Sequence, residues 1–363
     1  MNLVTQFLRN PACVAQWGTN EWNRFLPLAR GARLLGRSYY VLVQHELLGA
    51  TPERIIDQLR GALAQTKYVQ TQAMRELRLV ARTLRETGTS VIALKGVAYL
   101  ASDLPPKQWR NLSDIDILVP EKQIENAEQA LIAAGWVVHG DYDDYDRRYY
   151  HDWMHEIPPL VHRARGTEVD VHHNLTPPVS RIQIDADVLW HGALPASPAS
   201  ADVLVLSPVD MLLHNALHLY MNDELRGGLR DVVDFRDLLQ HFETRNINIW
   251  EDLITRGEQL RCGRALYYAI NTARRLAGLE VPGPVIHAVQ RFAPTIVVRS
   301  LMAWLIDQAL APPRPGLYRT AFASQLLFIR SHWIRMPPLM LAGHLLHKAL
   351  KRPPHPPTPD LPG

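Results

Sequence analysis

The stretch NLSDIDILVP, residues 111–120, organises the predicted fold. Side chains of a β-strand point alternately to opposite faces, so Asp114 and Asp116 project together while Ile115 and Ile117 point into a core. Two adjacent carboxylates repel each other, and a divalent cation between them relieves that repulsion; hard oxygen ligands suit Mg²⁺ or Mn²⁺. The alternative interpretation is a polar strand end with two solvated acids, because Asp-x-Asp is a common pattern.

Short apolar segments around this strand predict a small sheet. Residues 90–95 form a β-branched run that ends at Gly96, and a helix is predicted over 97–104. An amphipathic helix over 121–134 ends at Gly135, followed by a strand over 136–139. A hairpin is predicted from 159–163 and 168–172. Helices that alternate with strands, followed by a hairpin, indicate a mixed α/β sheet domain over 89–206.

The segment 141–150 is dense in aspartate and tyrosine and has no periodicity, so it is predicted to be a loop. Three roles stay open for it: a solvated loop, a rim that contacts substrate, or a metal site.

Helical periodicity dominates the rest of the chain. In the first part, Thr51 is predicted to cap a helix that has Pro52 at its first position and runs to Glu86. The run SPVD, residues 207–210, is a variant capping box that opens a second helical region. The predicted class is therefore α+β, a small mixed sheet core flanked by an N-terminal helical segment and an all-α C-terminal domain. The predicted parts are 1–88, 89–206, 207–350 and a proline-rich tail, 351–363. The helices predicted after the capping box are 229–243, 249–260, 263–277, 284–292, 295–311, 317–333 and 339–350.

Composition excludes several classes of protein. The chain has 363 residues, 47% of them hydrophobic, and a net charge of +3, so it is not a generally basic nucleic-acid binder. Its two cysteines, Cys13 and Cys262, argue against a disulfide scaffold and a cysteine-based zinc site. No signal peptide and no transmembrane segment are expected, which favours a cytoplasmic protein. The segment between Asp307 and Asp360 has basic residues but no acid.

A third carboxylate, Asp170, lies on a later predicted strand. If that strand neighbours the strand of Asp114 and Asp116, the three acids converge. Such a triad can hold two metal ions roughly 3.5–4 Å apart for an in-line phosphoryl displacement, with nucleotide phosphates as further ligands. His214 and His218, one helical turn apart, are interpreted as ordinary helix histidines rather than ligands, because no glutamate follows the first one.

Several motifs together resemble a known family. They are LKG at 94–96, RNLSDIDILV at 110–119, VDVH at 169–172, and the helical segment from His214 through LRDVVDF at 229–235 to Trp250. In this order they resemble the uncharacterised bacterial nucleotidyltransferase-like family, within the DNA polymerase β-type nucleotidyltransferase superfamily. The resemblance covers roughly residues 75–280. It is fairly specific only when the motifs are combined.

The resemblance implies a role for each carboxylate. Asp114 and Asp116 would bind both metals, and Asp170 would bind the catalytic metal and draw the proton from the acceptor hydroxyl. Gly96, which lacks a Cβ, would let the backbone approach the triphosphate. The superfamily usually has Gly-Ser at this turn, whereas this chain has Val97 after the glycine, which puts the hydroxyl contact to phosphate in doubt.

Two interpretations of the role remain open for each of four further residues near these motifs. Lys95 and Arg110 are either phosphate ligands or strand-end charges, and Lys95 could compensate for the missing hydroxyl. Ser113 is either part of the nucleotide site or a cap of the turn. His172 faces the same side as Asp170 and either contacts substrate or supports the site by hydrogen bonding.

The resemblance therefore implies a metal-dependent nucleotidyltransferase with Mg²⁺ or Mn²⁺ and a nucleoside triphosphate as co-substrate. The acceptor would be a small molecule, such as an antibiotic, sugar or peptide natural product, or an RNA reached by the acid-free segment. Residues 339–350 could also be a packing helix or a membrane-surface helix. The competing hypothesis is a catalytically inactive nucleotide-binding or interaction module.

Overall fold

The computed structural model describes residues 2–140, 142–197, 202–221, 225, 227–311 and 318–350. The chain has the predicted α+β class, with a seven-stranded mixed sheet between helical N- and C-terminal regions. The strands are Ile92–Ala93 (β1), Ile115–Leu118 (β2), Trp136–Val138 (β3), Leu160–His162 (β4), Glu168–His172 (β5), Leu194–Pro195 (β6) and Leu204–Val205 (β7).

Sixteen α-helices occur in the described residues, several of them continued by short 3₁₀ or π turns. They are Leu3–Arg9 (α1), Thr19–Gly31 (α2), Leu35–Gln44 (α3), Glu53–Glu86 (α4), Lys95–Ala101 (α5), Ile124–Ala133 (α6), Asp144–Arg148 (α7), Ala186–His191 (α8), Pro208–Met221 (α9), Leu229–Glu243 (α10), Ile249–Gln259 (α11), Gly263–Thr272 (α12), Gly283–Val289 (α13), Ile296–Leu310 (α14), Tyr318–Arg335 (α15) and Pro338–Leu350 (α16).

The sheet has the strand order β3-β4-β5-β2-β1-β7-β6. Strands β2 and β5 are parallel neighbours, and Asp116 is paired in register with Asp170. Residues paired across neighbouring strands point to the same face, so this register brings the two carboxylates together. Strand β1 pairs antiparallel with β2 on the other side and parallel with β7. The sheet therefore places the two predicted acidic strands side by side at its centre.

The long helix α4, with 34 residues, packs against the sheet region. Its Gln70 side chain donates a hydrogen bond to the Arg110 carbonyl at 2.8 Å, and its Glu76 forms an ion pair with Arg165. The predicted start of this helix was wrong in one detail. Thr51 donates its hydroxyl to the Leu47 carbonyl at 3.0 Å instead of capping α4, which begins at Glu53.

The N-terminal helices are tied to the C-terminal bundle through α10. Arg37 of α3 forms a buried ion pair with Asp237, and Arg236 donates to the carbonyls of Leu8 at 3.2 Å and Ala277 at 2.6 Å. A single cluster of buried apolar side chains runs from α1 to α15. The N-terminal helices are therefore packed against the C-terminal helices. The four-part domain division and the cytoplasmic location stay predictions.

Two local predictions were wrong. Within the segment predicted as a loop, Asp144–Arg148 is helical and continues as a π turn through Tyr149–Trp153, because the Asp143 side chain accepts a hydrogen bond from the Asp146 amide at 2.8 Å and caps the helix. The helix after β1 starts at Lys95 and ends at Ala101, earlier than predicted. The first residue of the predicted loop and the predicted tail lie outside the described residues.

Strands β6 and β7 have two residues each and were not predicted. None of the helices that the structure describes has the length and apolarity needed to cross a membrane.

Candidate active site

The predicted carboxylates line one cavity of about 220 Å³ beside the central strands. Asp114 lies just before β2 and is partly exposed, whereas Asp116 is buried in the strand and Asp170 lies opposite it on β5. Ile115 and Ile117, on the other face of β2, are buried in the core as the alternation requires. The three acids that the sequence singled out therefore line the same cavity.

One oxygen of Asp170, Oδ1, is buried and accepts no hydrogen bond from any residue that the structure describes. Burial, followed by the charge of Asp116, raises the pKa of Asp170 to about 7. The negative charge of the Asp170 carboxylate is therefore poorly solvated and lies near another negative charge. A bound cation would stabilise it.

Lys95 supplies positive charge to the buried Asp116. Its Nζ donates to Asp116 Oδ1 at 2.6 Å. Burial alone would raise the pKa of Asp116, but Lys95 and the neighbouring His172 outweigh burial and lower it below the ordinary range. The Lys95 backbone has φ +47°, a left-handed conformation that is uncommon for a residue with a Cβ and that occurs here at the start of α5.

His172 links Asp116 to a further acid. Its Nε2 lies 3.3 Å from Asp116 Oδ1, and its Nδ1 lies 3.2 Å from Glu156 Oε2. Burial disfavours the charged imidazole, but these two carboxylates outweigh burial and raise the pKa of His172. Of its two predicted roles, the structure shows the hydrogen bonding to a site carboxylate. Glu156 was not singled out in the sequence.

Arg110 is committed to carboxylates of the C-terminal bundle. Its Nη1 donates to Asp231 Oδ1 at 3.0 Å and also to Asp234, and its guanidinium lies over the Tyr99 ring. Asp234 is fully buried. This buried network joins the sheet region to α10. Although Arg110 lines the cavity, its positive charge is already balanced by Asp231 and Asp234, so it would attract a phosphate less strongly.

Gly96 and Ser113 also border the cavity. A Cβ at Gly96 would lie 2.3 Å from Leu112 Cδ2 and 2.6 Å from Arg110 Nε, so the glycine lets these side chains pack against α5. Ser113 Oγ donates to Asp114 Oδ1 at 3.0 Å. The serine hydroxyl therefore orients a site carboxylate in this structure.

Three further arginines line the cavity, and of these only Arg335 was noted in the sequence, as part of the acid-free segment. Arg33 lies in the turn after α2, Arg230 on α10 and Arg335 at the end of α15. Arg230 donates to the Asn111 carbonyl at 3.1 Å and pairs with Asp231. Within the described part of the chain, neither Arg33 nor Arg335 forms an ion pair, so both leave positive charge for an anionic ligand.

Both histidines of α9 line the cavity wall. Burial, followed by the charge of Lys95, lowers the pKa of His214 to about 3 and that of His218 well below its ordinary value. Both imidazoles are therefore neutral at pH 7. The structure places them at the site, where they offer hydrogen bonds or nitrogen ligands rather than positive charge.

The donor set fits divalent metal. Asp114, Asp116 and Asp170 offer only carboxylate oxygens, the ligands that Mg²⁺ and Mn²⁺ prefer, and the buried Asp170 oxygen without a partner has the chemistry of a metal ligand. These three residues would hold the ions. Lys95, on the same cavity wall, would keep a positive charge beside them.

Comparison with known protein families shows the family to which the chain belongs. A family described as uncharacterised nucleotidyltransferase matches residues 18–278, well over half of the chain. The chain belongs to this family. The match begins earlier than the resemblance noted from the motifs, and it includes most of the N-terminal helices that pack against the site. Membership supports a general nucleotidyl-transfer function for the protein. Neither a curated protein nor a solved structure matches the chain.

Proposed function

We propose that this protein is a metal-dependent nucleotidyltransferase of the DNA polymerase β type. It would move a nucleoside monophosphate from a nucleoside triphosphate to an acceptor hydroxyl or phosphate and release pyrophosphate. One observation carries the proposal: Asp114, Asp116 and Asp170 line one cavity, and the buried Asp170 oxygen has no partner in the described structure. Bound Mg²⁺ or Mn²⁺, as a pair of ions, would neutralise phosphate charge and stabilise the attacking and leaving oxygens.

The chain's own residues supply positioning and proton transfer. Asp170, one of whose oxygens is buried without a partner in the described structure, would accept the proton of an acceptor hydroxyl. The Lys95 ammonium, now 2.6 Å from Asp116, could exchange this contact for a phosphate oxygen when nucleotide enters. Catalysis would rest mainly on positioning and charge neutralisation.

The cavity suits the charged part of a nucleotide. Its volume, about 220 Å³, is below the roughly 300–1,000 Å³ of typical small-molecule pockets, so we expect it to take the phosphates and ions while the nucleoside extends outward. Arg33, Arg230 and Arg335 would face the phosphates. Gly96 remains a candidate for close backbone approach, and Ser113 would orient Asp114.

We propose two alternative classes of acceptor, a small molecule and an RNA. A small molecule would enter beside Asp170. An RNA would need further phosphate contacts, for which the acid-free segment after Asp307 is the candidate. RNA affinity that falls steeply with salt would favour RNA, and no binding at low salt would favour the small molecule.

The transfer assay is direct. Purified protein is incubated with each α-labelled nucleoside triphosphate, Mg²⁺ and a panel of acceptors. We expect label transfer by the wild type and loss of at least about 100-fold in Asp114→Ala and Asp116→Ala, because charge stabilisation by one preorganised group is worth about 10²–10³ in rate. Transfer undiminished in both variants would refute the assigned roles.

A catalytically inactive binding module is the second candidate. Two observations favour it: Val97 replaces the usual serine, and Lys95 already neutralises Asp116. This candidate predicts Mg²⁺-dependent nucleotide binding without turnover with any acceptor. Calorimetry of nucleotide binding beside the transfer assay separates the two.

A further inference from the structure

Three side chains next to the proposed catalytic carboxylates form a second potential donor set. One ligand atom from each of His155, Glu156 and His172 lies within 4.8 Å of the others. The backbone fixes them: Glu156 forms a β-bridge with His172, the His173 amide donates to the His155 carbonyl at 2.8 Å, and the Ile157 amide donates to the Val171 carbonyl at 3.0 Å. The set is therefore fixed by backbone hydrogen bonds at the C-terminal end of β5 rather than carried by a free loop.

His155 has a nitrogen without a partner. The residue is 5% exposed, and its Nδ1 makes no hydrogen bond to any residue that the structure describes. An unsatisfied buried polar atom costs about 1–3 kcal/mol. Such an atom lowers the stability of the folded protein unless a ligand forms a bond with it. Imidazole nitrogen is the commonest protein ligand of transition metals.

His172 has the hydrogen bonding of a metal-binding histidine. Its Nε2 lies 3.3 Å from Asp116 Oδ1, which accepts from it and so orients the ring with Nδ1 directed at Glu156. Metal-ligating histidines usually donate their other nitrogen to a carboxylate in this way. When no cation is bound, the same Nδ1–H can donate to Glu156.

We infer that His155, Glu156 and His172 form a binding site for a borderline divalent cation such as Zn²⁺ or Co²⁺, distinct from the carboxylate set of Asp114, Asp116 and Asp170. Two imidazoles with one carboxylate suit these ions, whereas Mg²⁺ prefers oxygen. Ligand atoms around tetrahedral zinc lie about 3.4 Å apart, given zinc–ligand distances near 2.1 Å. The set must therefore contract, and the Glu156 side chain, the most exposed of the three at 25%, can rotate toward the two imidazoles.

In the cation-bound state the His172 Nδ1 lone pair would face the cation, while Nε2–H donates to Asp116 Oδ1, 3.3 Å away. Asp116 would thereby belong to both sites, as a direct ligand of one cation and as the hydrogen-bond partner of a ligand of the other.

The test uses untagged, full-length protein stripped of metal and titrated with Co²⁺ in excess Mg²⁺. We expect about one Co²⁺ per chain with the visible bands of a nitrogen-ligated ion. His155→Gln and Glu156→Gln should weaken Co²⁺ binding at least about tenfold, since even an outer partner of a metal ligand is worth 10–100-fold. Circular dichroism and thermal unfolding of each variant without metal show that it is folded.

Three control variants separate the two donor sets. Asp114→Asn and Asp170→Asn should keep the Co²⁺ bands, and so should His214→Gln, which removes another imidazole from the same cavity. The inference is overturned by the absence of nitrogen-ligated bands in the wild type, or by bands that persist in His155→Gln and disappear in Asp170→Asn. A negative transfer assay with intact Co²⁺ binding would refute only the proposed function.

Discussion

Replacement of Asp170 by asparagine should stabilise the protein above pH 7 while weakening its response to Mg²⁺. The wild-type carboxylate lies beside Asp116, in register across two parallel strands, and one of its oxygens is buried without a partner in the described structure. Asparagine has nearly the same shape, carries no charge, and can donate its amide hydrogen to the neighbouring carboxylate. The substitution therefore removes an unfavourable charge and keeps the packing.

The magnitude follows from the pKa difference of Asp170. Burial and neighbouring carboxylates raise its pKa from 3.8 to about 7 in the folded protein. At about 1.4 kcal/mol per pKa unit this gives an upper bound near 4 kcal/mol, and partial solvent access reduces the expectation to about 1–3 kcal/mol.

The sign of the pH dependence follows from the same difference. Because the folded state binds the proton more tightly, wild-type stability falls as pH rises from about 4 to about 7, and the full deficit is present above pH 7. Asp170→Asn should therefore be more stable than the wild type at pH 8 and not more stable at pH 4.

The assay is urea unfolding of both proteins at pH 4, 6 and 8, with and without Mg²⁺. Saturation to about 100 times the dissociation constant adds about 2.7 kcal/mol to a protein that binds one ion only when folded. We expect this increment in the wild type at pH 8 and a much smaller one in Asp170→Asn. Glu280→Gln, at an exposed position outside the helices and strands, is the control and should change stability by less than about 0.5 kcal/mol.

Two results would refute the reasoning. An Asp170→Asn protein less stable than the wild type at pH 8 without metal would show that the carboxylate is not electrostatically strained. An equal Mg²⁺ increment in both proteins would show that Asp170 is not a metal ligand.

Three further substitutions, and one control variant, test the packing and the charges of the site. Gly96→Ala should destabilise the protein by about 1–3 kcal/mol in urea unfolding, because the new Cβ overlaps the fixed Arg110 side chain, whereas Gly61→Ala, in an open position of α4, should stabilise it by about 0.5–1 kcal/mol. Arg110→Met should cost about 3–5 kcal/mol, since it leaves the buried Asp234 charge unpaired. Arg335→Gln should weaken Mg²⁺–nucleotide binding about tenfold in calorimetry, with unchanged stability, because it removes a cation that has no ion pair among the described residues.

Each of these predictions has a contradicting outcome. Equal stability of the Gly96 and Gly61 variants would show that α5 moves freely away from its neighbours. A neutral Arg110→Met would show that Asp234 is protonated or finds another partner. Unchanged nucleotide affinity in Arg335→Gln would remove the end of α15 from the nucleotide site.

Local patterns in the sequence predicted the elements that carry the carboxylates. Alternation of aspartate and isoleucine predicted β2, and the VDVH run predicted β5 with the bounds that the structure shows. Period-2 and helical patterns are local properties, so they can be read without knowledge of neighbours. The expectation that the two strands are neighbours was conditional, and the observed register fulfils that condition.

The shortest elements were not predicted from the sequence, because a periodic pattern can be recognised only over several residues. Strands β6 and β7 have two residues each, too few to show alternation, and the helix capped by Asp143 has five. Strand β7 depends on pairing with β1, β6 on pairing with β7, and the short helix on one capping hydrogen bond, none of which composition reveals.

The sequence by itself determined the α+β class, the acidic strands and the helical flanks, because each depends on spacing within one segment. Only the tertiary structure decided which charges meet. Arg110 pairs with Asp231 and Asp234, more than a hundred residues away, and Arg33 and Arg335 reach the cavity from opposite ends of the chain. The balance of charge that sets the pKa of Asp170 depends on distances of a few ångströms across that fold, and such distances have no signature in a linear pattern.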